Sequence, residues 1–324
     1  MTTPERMGRE RPPVALFVLG MGRSGTSALT RLLSLCGAAL PPGMLGADAT
    51  NPRGYWEPRE SLLLNGAILY RHGSAWFDPT LRVLEDGRFD AQEKAVCMAE
   101  INAFLQKIPA APLVVIKDLN IVVLSGMWFE AARQAGFDVA TVIAVRHPQE
   151  VIASLARAMR SSPELAAALW LKGNLLAERH TRGVPRVFVD YANLLEDWRR
   201  EVARISEGLA IDLSARDDTV IDEFLRPDLH RQRHGGQVTD PFGGDWVWTA
   251  YNTLRAAARD EPCDESVLDR IFAQYRASEY GFRTALDDFR SNYNSPSFRL
   301  LRPAIMKPIL EVVAMAHRRR GTWA

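Results

Sequence analysis

The sequence predicts an α/β fold, a three-layer doubly wound parallel sheet with a helical C-terminal region. Three observations lead there. Short Val- and Ile-rich runs recur whose apolar character is nearly continuous, as in strands covered on both faces. Helix-period segments separate these runs, and such alternation builds a parallel sheet. A glycine-rich turn joins the first run to the first helix, at the end of a strand where sheets of this kind bind ligands.

The first strand is VALFVLG, 14–20, behind a polar stretch, 1–13, expected to be flexible. The apolar run ends in the turn and is too short for a signal h-region. A helix follows over 28–36. A second helical pattern, 91–108, leads to the strand PLVVIKD, 112–118. The third strand, VATVIAVR at 139–146, feeds a helix over 151–159, and Pro148 suits its first turn. Another helix covers 165–180 before the strand RVFVDY, 186–191, and one helix is expected over 194–209. After about residue 210 the pattern is mostly helical. The Gly-rich segment 234–246 reads as a surface loop, either a lid or a connector. In the tail, 296–324, Ile305, Ile309, Val313 and Ala316 recur at helical spacing ahead of Arg318, Arg319 and Arg320, with Pro303 and Pro308 interrupting. Such a basic amphipathic segment packs on its own domain or lies against a membrane surface. The main domain is expected at 14–295.

Composition narrows the function. Of 324 residues, 40 are Lys or Arg and 39 Asp or Glu, so no charge surplus exists to neutralise the phosphates of a nucleic acid. An apolar share of 47% excludes disorder as the main state. Arg supplies most of the basic residues, a bias that suits bidentate binding of phosphate and sulfate and that genome composition also produces. Cys36, Cys97 and Cys263 form no CxxC, disulfide or zinc pattern and fit a reducing compartment. No run of about 18 uncharged apolar residues exists to span a membrane. A cytoplasmic location is expected.

The strongest local signal is FVLGMGRSGTSALTRLL, 17–33, in which a strand runs into Gly20-Met21-Gly22-Arg23-Ser24-Gly25-Thr26-Ser27 and then a helix. Glycines let backbone N–H groups converge on an anion, and the helix dipole adds positive potential. The hydroxyls of Ser24, Thr26 and Ser27 can donate further hydrogen bonds. The spacing Gly20 to Gly25 matches the triphosphate loop GxxxxGK[ST], but Thr26 stands where the Lys should be. The loop's cation is Arg23. Without that Lys the loop is poorly equipped for a triphosphate and well equipped for a smaller anion.

The sequence GMGRSGTS before a helix resembles the 5′-phosphosulfate loop of sulfotransferases that use 3′-phosphoadenylyl sulfate (PAPS). Val145-Arg146-His147-Pro148, with Ser154 eight residues after the Arg, resembles that family's 3′-phosphate motif. Val189-Asp190-Tyr191 with Leu194 and Leu195 resembles its YxxL segment, and residues 224–231 a late loop of bacterial members. Together these segments span roughly 14–235.

The resemblance implies a fold like that of the P-loop nucleoside triphosphatases, PAPS as donor, adenosine 3′,5′-bisphosphate (PAP) as product and no obligatory metal. It implies that Gly22, Arg23, Ser24, Gly25, Thr26 and Ser27 hold the phosphosulfate end. Arg146 and Ser154 would clamp the ribose phosphate, and Tyr191 would lie near adenine. The acceptor would be a hydroxyl or amine of a glycan, glycolipid or small molecule. Lys117, a lysine closing a buried strand, is a candidate for charge stabilisation in a segment where many bacterial members read KDPR and this chain reads Lys117-Asp118-Leu119-Asn120. Its other reading is a strand-end lysine in solvent or paired with Asp118. Glu57, in Asn51-Pro52-Arg53-Gly54-Tyr55-Trp56-Glu57, is the candidate general base, with a surface pair to Arg53 or Arg59 as the alternative. Asp118 and His72 stand in reserve. His147, His230 and His234, and Trp76, Phe77, Trp128, Trp170, Trp246 and Trp248, fit packing or ligand contact. Two other readings remain: a P-loop kinase or triphosphatase, and a non-catalytic PAP-binding protein.

Overall fold

A computed structural model of the chain describes residues 11–48, 51–225, 242, 244–294, 308 and 312. It contains one parallel sheet of β1 (Val14–Leu19), β2 (Leu113–Ile116), β3 (Asp138–Val145) and β4 (Arg186–Asp190), ordered β2-β1-β3-β4. The helices are α1 (Thr26–Leu35), α2 (Arg59–Arg71), α3 (Ala91–Leu105), α4 (Ile121–Gln134), α5 (Pro148–Met159), α6 (Pro163–His180), α7 (Tyr191–Glu196), α8 (Trp198–Leu209), α9 (Asp218–Phe224), α10 (Trp246–Ala257) and α11 (Glu265–Asn294). β1 is central. It pairs with β2 from Val14–Leu113 to Phe17–Ile116 and with β3 from Val14–Asp138 to Leu19–Ile143. The chain therefore winds outward to β2, then returns to the other side of β1 as β3. This reversal opens a crevice at the carboxyl ends of β1 and β3.

Alternation along β1 sets the three layers. Leu16 and Val18 share a core with Leu29, Leu32 and Leu33 of α1 and with Val202 and Ile205 of α8. Phe17 points to the opposite face and meets Trp128 and Phe129 of α4, with ring centroids 6.2 and 5.2 Å away. Trp128 and Trp170 are fully buried, so both serve the core. At the start of β4, the buried Glu178 of α6 accepts from Arg182 and Arg186, and Arg186 Nη2 also reaches Glu265 of α11 at 2.8 Å.

All four expected strands and the α/β class are present. The single helix expected over 194–209 is two. Asp197 leaves the helical region, at φ −150° and ψ 84°, and its carboxylate accepts from Arg200 N to start α8 afresh. Two helices come without a clear sequence signal. α4 is mostly apolar, with only a narrow exposed stripe that includes Gly126 and Arg133. α2 mixes its faces, burying Ser61 and Asn65 along with Ile68 and Leu69 while Leu63 and Tyr70 stay exposed.

The chain divides into two compact units, Met1–Phe272 and Ala273–Ala324. In the second, Arg283 pairs with Glu279 one turn earlier on α11, at 3.1 Å. Residues 1–10, most of the loop at 234–246 and all of the tail except 308 and 312 lie outside the described residues.

Close approach of β1 to β3 depends on one glycine. Gly20 has φ +125°, and a Cβ there would stand 2.5 Å from Ala144 O. Gly37 also has a positive φ, +103°, but has open space around it. Gly20→Ala is expected to destabilise by about 3 kcal/mol or more, and Gly37→Ala by about 1 kcal/mol from backbone strain alone. Urea unfolding checks this, and equal losses would refute the crowding argument.

Candidate active site

The phosphate loop follows β1. Gly20, Arg23 and Gly25 all take positive φ, at 125°, 70° and 92°, and so curl the chain between strand and helix. Gly25 then caps α1 with no side-chain hydrogen bond, and no acidic residue occupies the first turn. The helix's first N–H groups and its dipole thus remain available to an anion. Ser24 is fully buried, and its Oγ has no hydrogen-bond partner among the described residues. A buried hydroxyl without a partner is costly, which points to a ligand atom as its natural mate.

The second cradle is the junction of β3 and α5. It meets the first directly. Arg23 Nε donates to Ser154 Oγ at 3.0 Å, and Arg146 Nη1 donates to Arg23 O at 3.0 Å. Arg146 Nε donates to Glu150 Oε2 at 2.8 Å, while Trp170 Nε1 holds Arg146 O at 3.2 Å. The Arg146 guanidinium lies 4.5 Å over the Tyr191 ring. That ring packs on Gly25, where a Cβ would come within 2.2 Å of Tyr191 Cδ2. Burial holds the Arg23 guanidinium below its ordinary pKa, Tyr55 opposes this, and the charge of Arg146 adds to it. Burial likewise pushes the Tyr191 hydroxyl up. Residues from four separate elements therefore converge on one crevice.

The third component is a buried ion pair. Lys117, just past β2, and Glu57, just before α2, are 2% and 3% exposed. Lys117 Nζ lies 2.5 Å from Glu57 Oε1 and donates to Tyr55 O at 3.2 Å and to Ser27 Oγ at 3.4 Å. Asn51 Nδ2 also reaches Ser27 Oγ, at 3.4 Å, and donates to Gly54 O at 2.9 Å. The strap 51–57 is shaped for this by positive φ at Gly54, 89°, and at Trp56, 56°, an uncommon value for so bulky a residue. Neither surface pairing of Glu57 occurs. Arg53 donates to the carbonyls of Glu223 and Phe224, and Arg59 to that of Gly43.

Asp118 points away from Lys117 into the core. Its carboxylate accepts from Asn65 Nδ2 at 2.9 Å, Asn120 N at 2.9 Å and Asn120 Nδ2 at 3.0 Å. Burial, and then the charge of Glu57, push its pKa up to about 6. His72 is remote in contact, 3.0 Å from Glu93 and tilted against the Phe89 ring. His147 sits against Trp248 and Tyr251 of α10. Trp76 and Phe77 stand half-exposed, edge to face at 5.6 Å. Trp76 walls a narrow cleft beside the loop together with Gly20, Gly22, Leu119 and Lys172. His230 and His234 lie outside the described residues. Asn51 and Glu150 are site residues that sequence reasoning missed. Glu150 had a legible signal, its i,i+4 spacing from Arg146, whereas Asn51 had none. Among the described residues, no three His, Cys, Asp or Glu side chains cluster as a metal site requires.

By structure the chain is similar to the sulfotransferase domain of the Synechococcus PCC 7002 olefin synthase, at 21% identity and a TM-score of 0.40, over 84% of this chain and 98% of that one. It is also similar to a sulfotransferase from Mycobacterium tuberculosis H37Rv, at 16% identity and a TM-score of 0.39, over 74% of this chain and 76% of that one. No family model and no curated protein matches the chain.

The Asp118 environment has a consequence for stability. Its folded pKa of about 6 lies above its ordinary 3.8, so the folded state holds this proton more tightly than the unfolded chain. Stability from this group is therefore greatest at low pH and falls as pH rises from about 4 to 6, by about 3 kcal/mol in all. Asp118→Asn is expected to remove that slope. Urea unfolding across this pH range, on both proteins, reads the difference, and parallel profiles would overturn it.

Proposed function

We propose that the chain is a PAPS-dependent sulfotransferase. It would move a sulfuryl group to a hydroxyl or amine of a glycan, glycolipid or small-molecule acceptor and release PAP. The observation that carries this reading is the hydrogen bond from Arg23 Nε to Ser154 Oγ at 3.0 Å. It joins the phosphate loop to the β3–α5 junction, so two anion cradles lie side by side, as a molecule with phosphates on the 3′ and 5′ carbons of one ribose requires.

The donor set fits such a molecule. Ser24 Oγ is buried and has no partner among the described residues. Ser154 and Ser27 accept hydrogen bonds from Arg23 and Lys117, and each hydroxyl keeps its own proton to donate. Arg146 uses Nε and Nη1 within the protein and keeps Nη2 for an anion. Tyr191 offers an aromatic edge beside both cradles.

When bound, PAPS supplies a sulfuryl group on a good phosphate leaving group. In-line transfer builds charge on the bridging oxygen, and fixed positive potential must meet it there. Lys117, by Ser27, is the cation at hand, with Arg23 and the α1 N–H groups around the sulfuryl oxygens. Glu57 takes the acceptor's proton as general base. The two roles are linked, because Lys117 turning to the leaving oxygen releases Glu57 Oε1 for the acceptor.

A kinase or triphosphatase would need the loop cation at position 26 and an acidic group free to meet Mg²⁺. Thr26 is no cation, and Asp118 is turned inward onto Asn65 and Asn120.

PAP is expected to raise the melting temperature without added metal, since binding to the native state alone stabilises it. Arg146→Ala should weaken PAP about 100-fold by calorimetry, the scale of losing charge-assisted hydrogen bonds. Stabilisation by ATP with Mg²⁺ and not by PAP would instead favour a kinase. Glu57→Gln should lower transfer from labelled PAPS to a panel of sugars and alcohols by about 100-fold or more and leave PAP affinity unchanged. Full turnover in Glu57→Gln removes Glu57 from the mechanism. Tight PAP binding with no transfer to any acceptor would favour the non-catalytic reading.

A further inference from the structure

α2 buries two polar residues, Ser61 and Asn65, beside the apolar Ile68 and Leu69. Asn65 is fully buried on a face where an apolar side chain would serve, and Leu63 and Tyr70 face solvent instead. The buried amide is fully engaged at both ends. Its Oδ1 accepts from Trp128 Nε1 at 2.8 Å, and its Nδ2 donates to Asp118 Oδ2 at 2.9 Å. Trp128 sits in the core under β1, held by Phe17 and Phe104. Asp118 Oδ1 is closed by the backbone and side chain of Asn120. All three of Trp128, Asn65 and Asp118 are within 1% of complete burial.

This chain of hydrogen bonds ends beside the ion pair. Asp118 follows Lys117 directly, and its charge interacts with that of Glu57. Glu57 in turn precedes Pro58, the cap of α2, and the first turn is tied by Ser61 Oγ donating to Pro58 O at 3.0 Å. The end of β2 and the start of α2 are thus linked through Asp118, which meets Asn65 and Ser61, and through Lys117 and Glu57. A buried polar network costs stability relative to an apolar core and specifies one geometry in return.

We infer that Asp118, held by Asn65 and Trp128, is a positioning residue that sets Glu57 on Lys117. Its catalytic part rests on the sulfotransferase reading, while its structural part does not. Asp118 touches neither Lys117 Nζ nor the loop hydroxyls in the contacts described, so it acts through the placement of α2. The acceptor's proton then meets a carboxylate whose position is fixed from the core outward.

The test uses the full chain with Asn65→Leu and Trp128→Phe, each alone and combined with Glu57→Gln. Trp128→Phe removes the donor to Asn65 and keeps one aromatic ring near Phe17 and Phe104, at the cost of a small cavity. Turnover is read as PAP released from PAPS with water as acceptor. Asn65→Leu is expected to lower kcat by about tenfold or more, with KM for PAPS within about twofold. Trp128→Phe should give a smaller fall in the same sense. In the Glu57→Gln background neither should lower kcat further. Equal proportional losses in both backgrounds would overturn the inference, as would a rise in KM with kcat unchanged.

If the unsubstituted protein neither binds PAP nor turns over PAPS, the sulfotransferase reading fails and the positioning claim is read by urea unfolding. Asn65→Leu and Glu57→Gln should then be non-additive by about tenfold in the unfolding constant. Additive effects would overturn the placement itself.

Discussion

A lysine and a glutamate removed from water hold this site together. Dehydrating two charges is repaid only where geometry is tight and the remaining donors are satisfied. Lys117 meets those terms with Glu57, Tyr55 O and Ser27 Oγ. The cost of meeting them is visible nearby. The strap 51–57 bends through two left-handed residues, one of them a tryptophan. Arg53 ties that strap to the end of α9, and Asn51 ties it to the phosphate loop. If one partner were removed, the other charge would stand buried without its counter-ion, and only the backbone and side-chain ties of Asn51, Arg53 and Trp56 would hold the strap to its path.

The phosphate loop obeys a different constraint, one of space. Tyr191 presses on Gly25, and Ala144 O presses on Gly20, so neither glycine can carry a side chain. The missing side chains let β3, β4 and the loop come close enough for Arg146, which bonds Glu150, to reach Arg23 O as well. The crevice at the β1–β3 reversal is therefore both a topological and a steric product. Hydroxyls line it because only small donors fit where the backbone is so close.

Much of this was legible in the chain. Four nearly continuous apolar runs reveal a covered sheet, and the Gly, Arg and Ser pattern after the first reveals an anion loop. The spacing of Arg146 and Ser154 puts both on one junction. What stayed hidden depends on contacts between distant segments. Nothing near Glu57 announces that its partner is Lys117, because that partnership is made by the path of the strap. α2 misleads because its buried face mixes Ser61 and Asn65 with Ile68 and Leu69, and α4 because most of its surface is buried. The break at Asp197 turns on one residue whose side chain can restart a helix, a local competition that periodicity does not register.

The charge balance of the crevice also bears on what it can hold. Among the cations around the loop, Arg146 faces the buried Glu150 and Lys117 the buried Glu57, while Arg23 lies in the field of Asp48 as well as of Arg146. The start of α1 adds its dipole to this potential. A triphosphate with its metal needs a loop cation that is committed to the phosphates from the outset. Here the nearest lysine comes from a strand end and is held by a carboxylate, so it becomes available only when something else engages that carboxylate. An acceptor hydroxyl arriving at Glu57 would be such a group. On the proposed reading the lysine and the base would be freed together, because each is the other's partner in the resting ion pair.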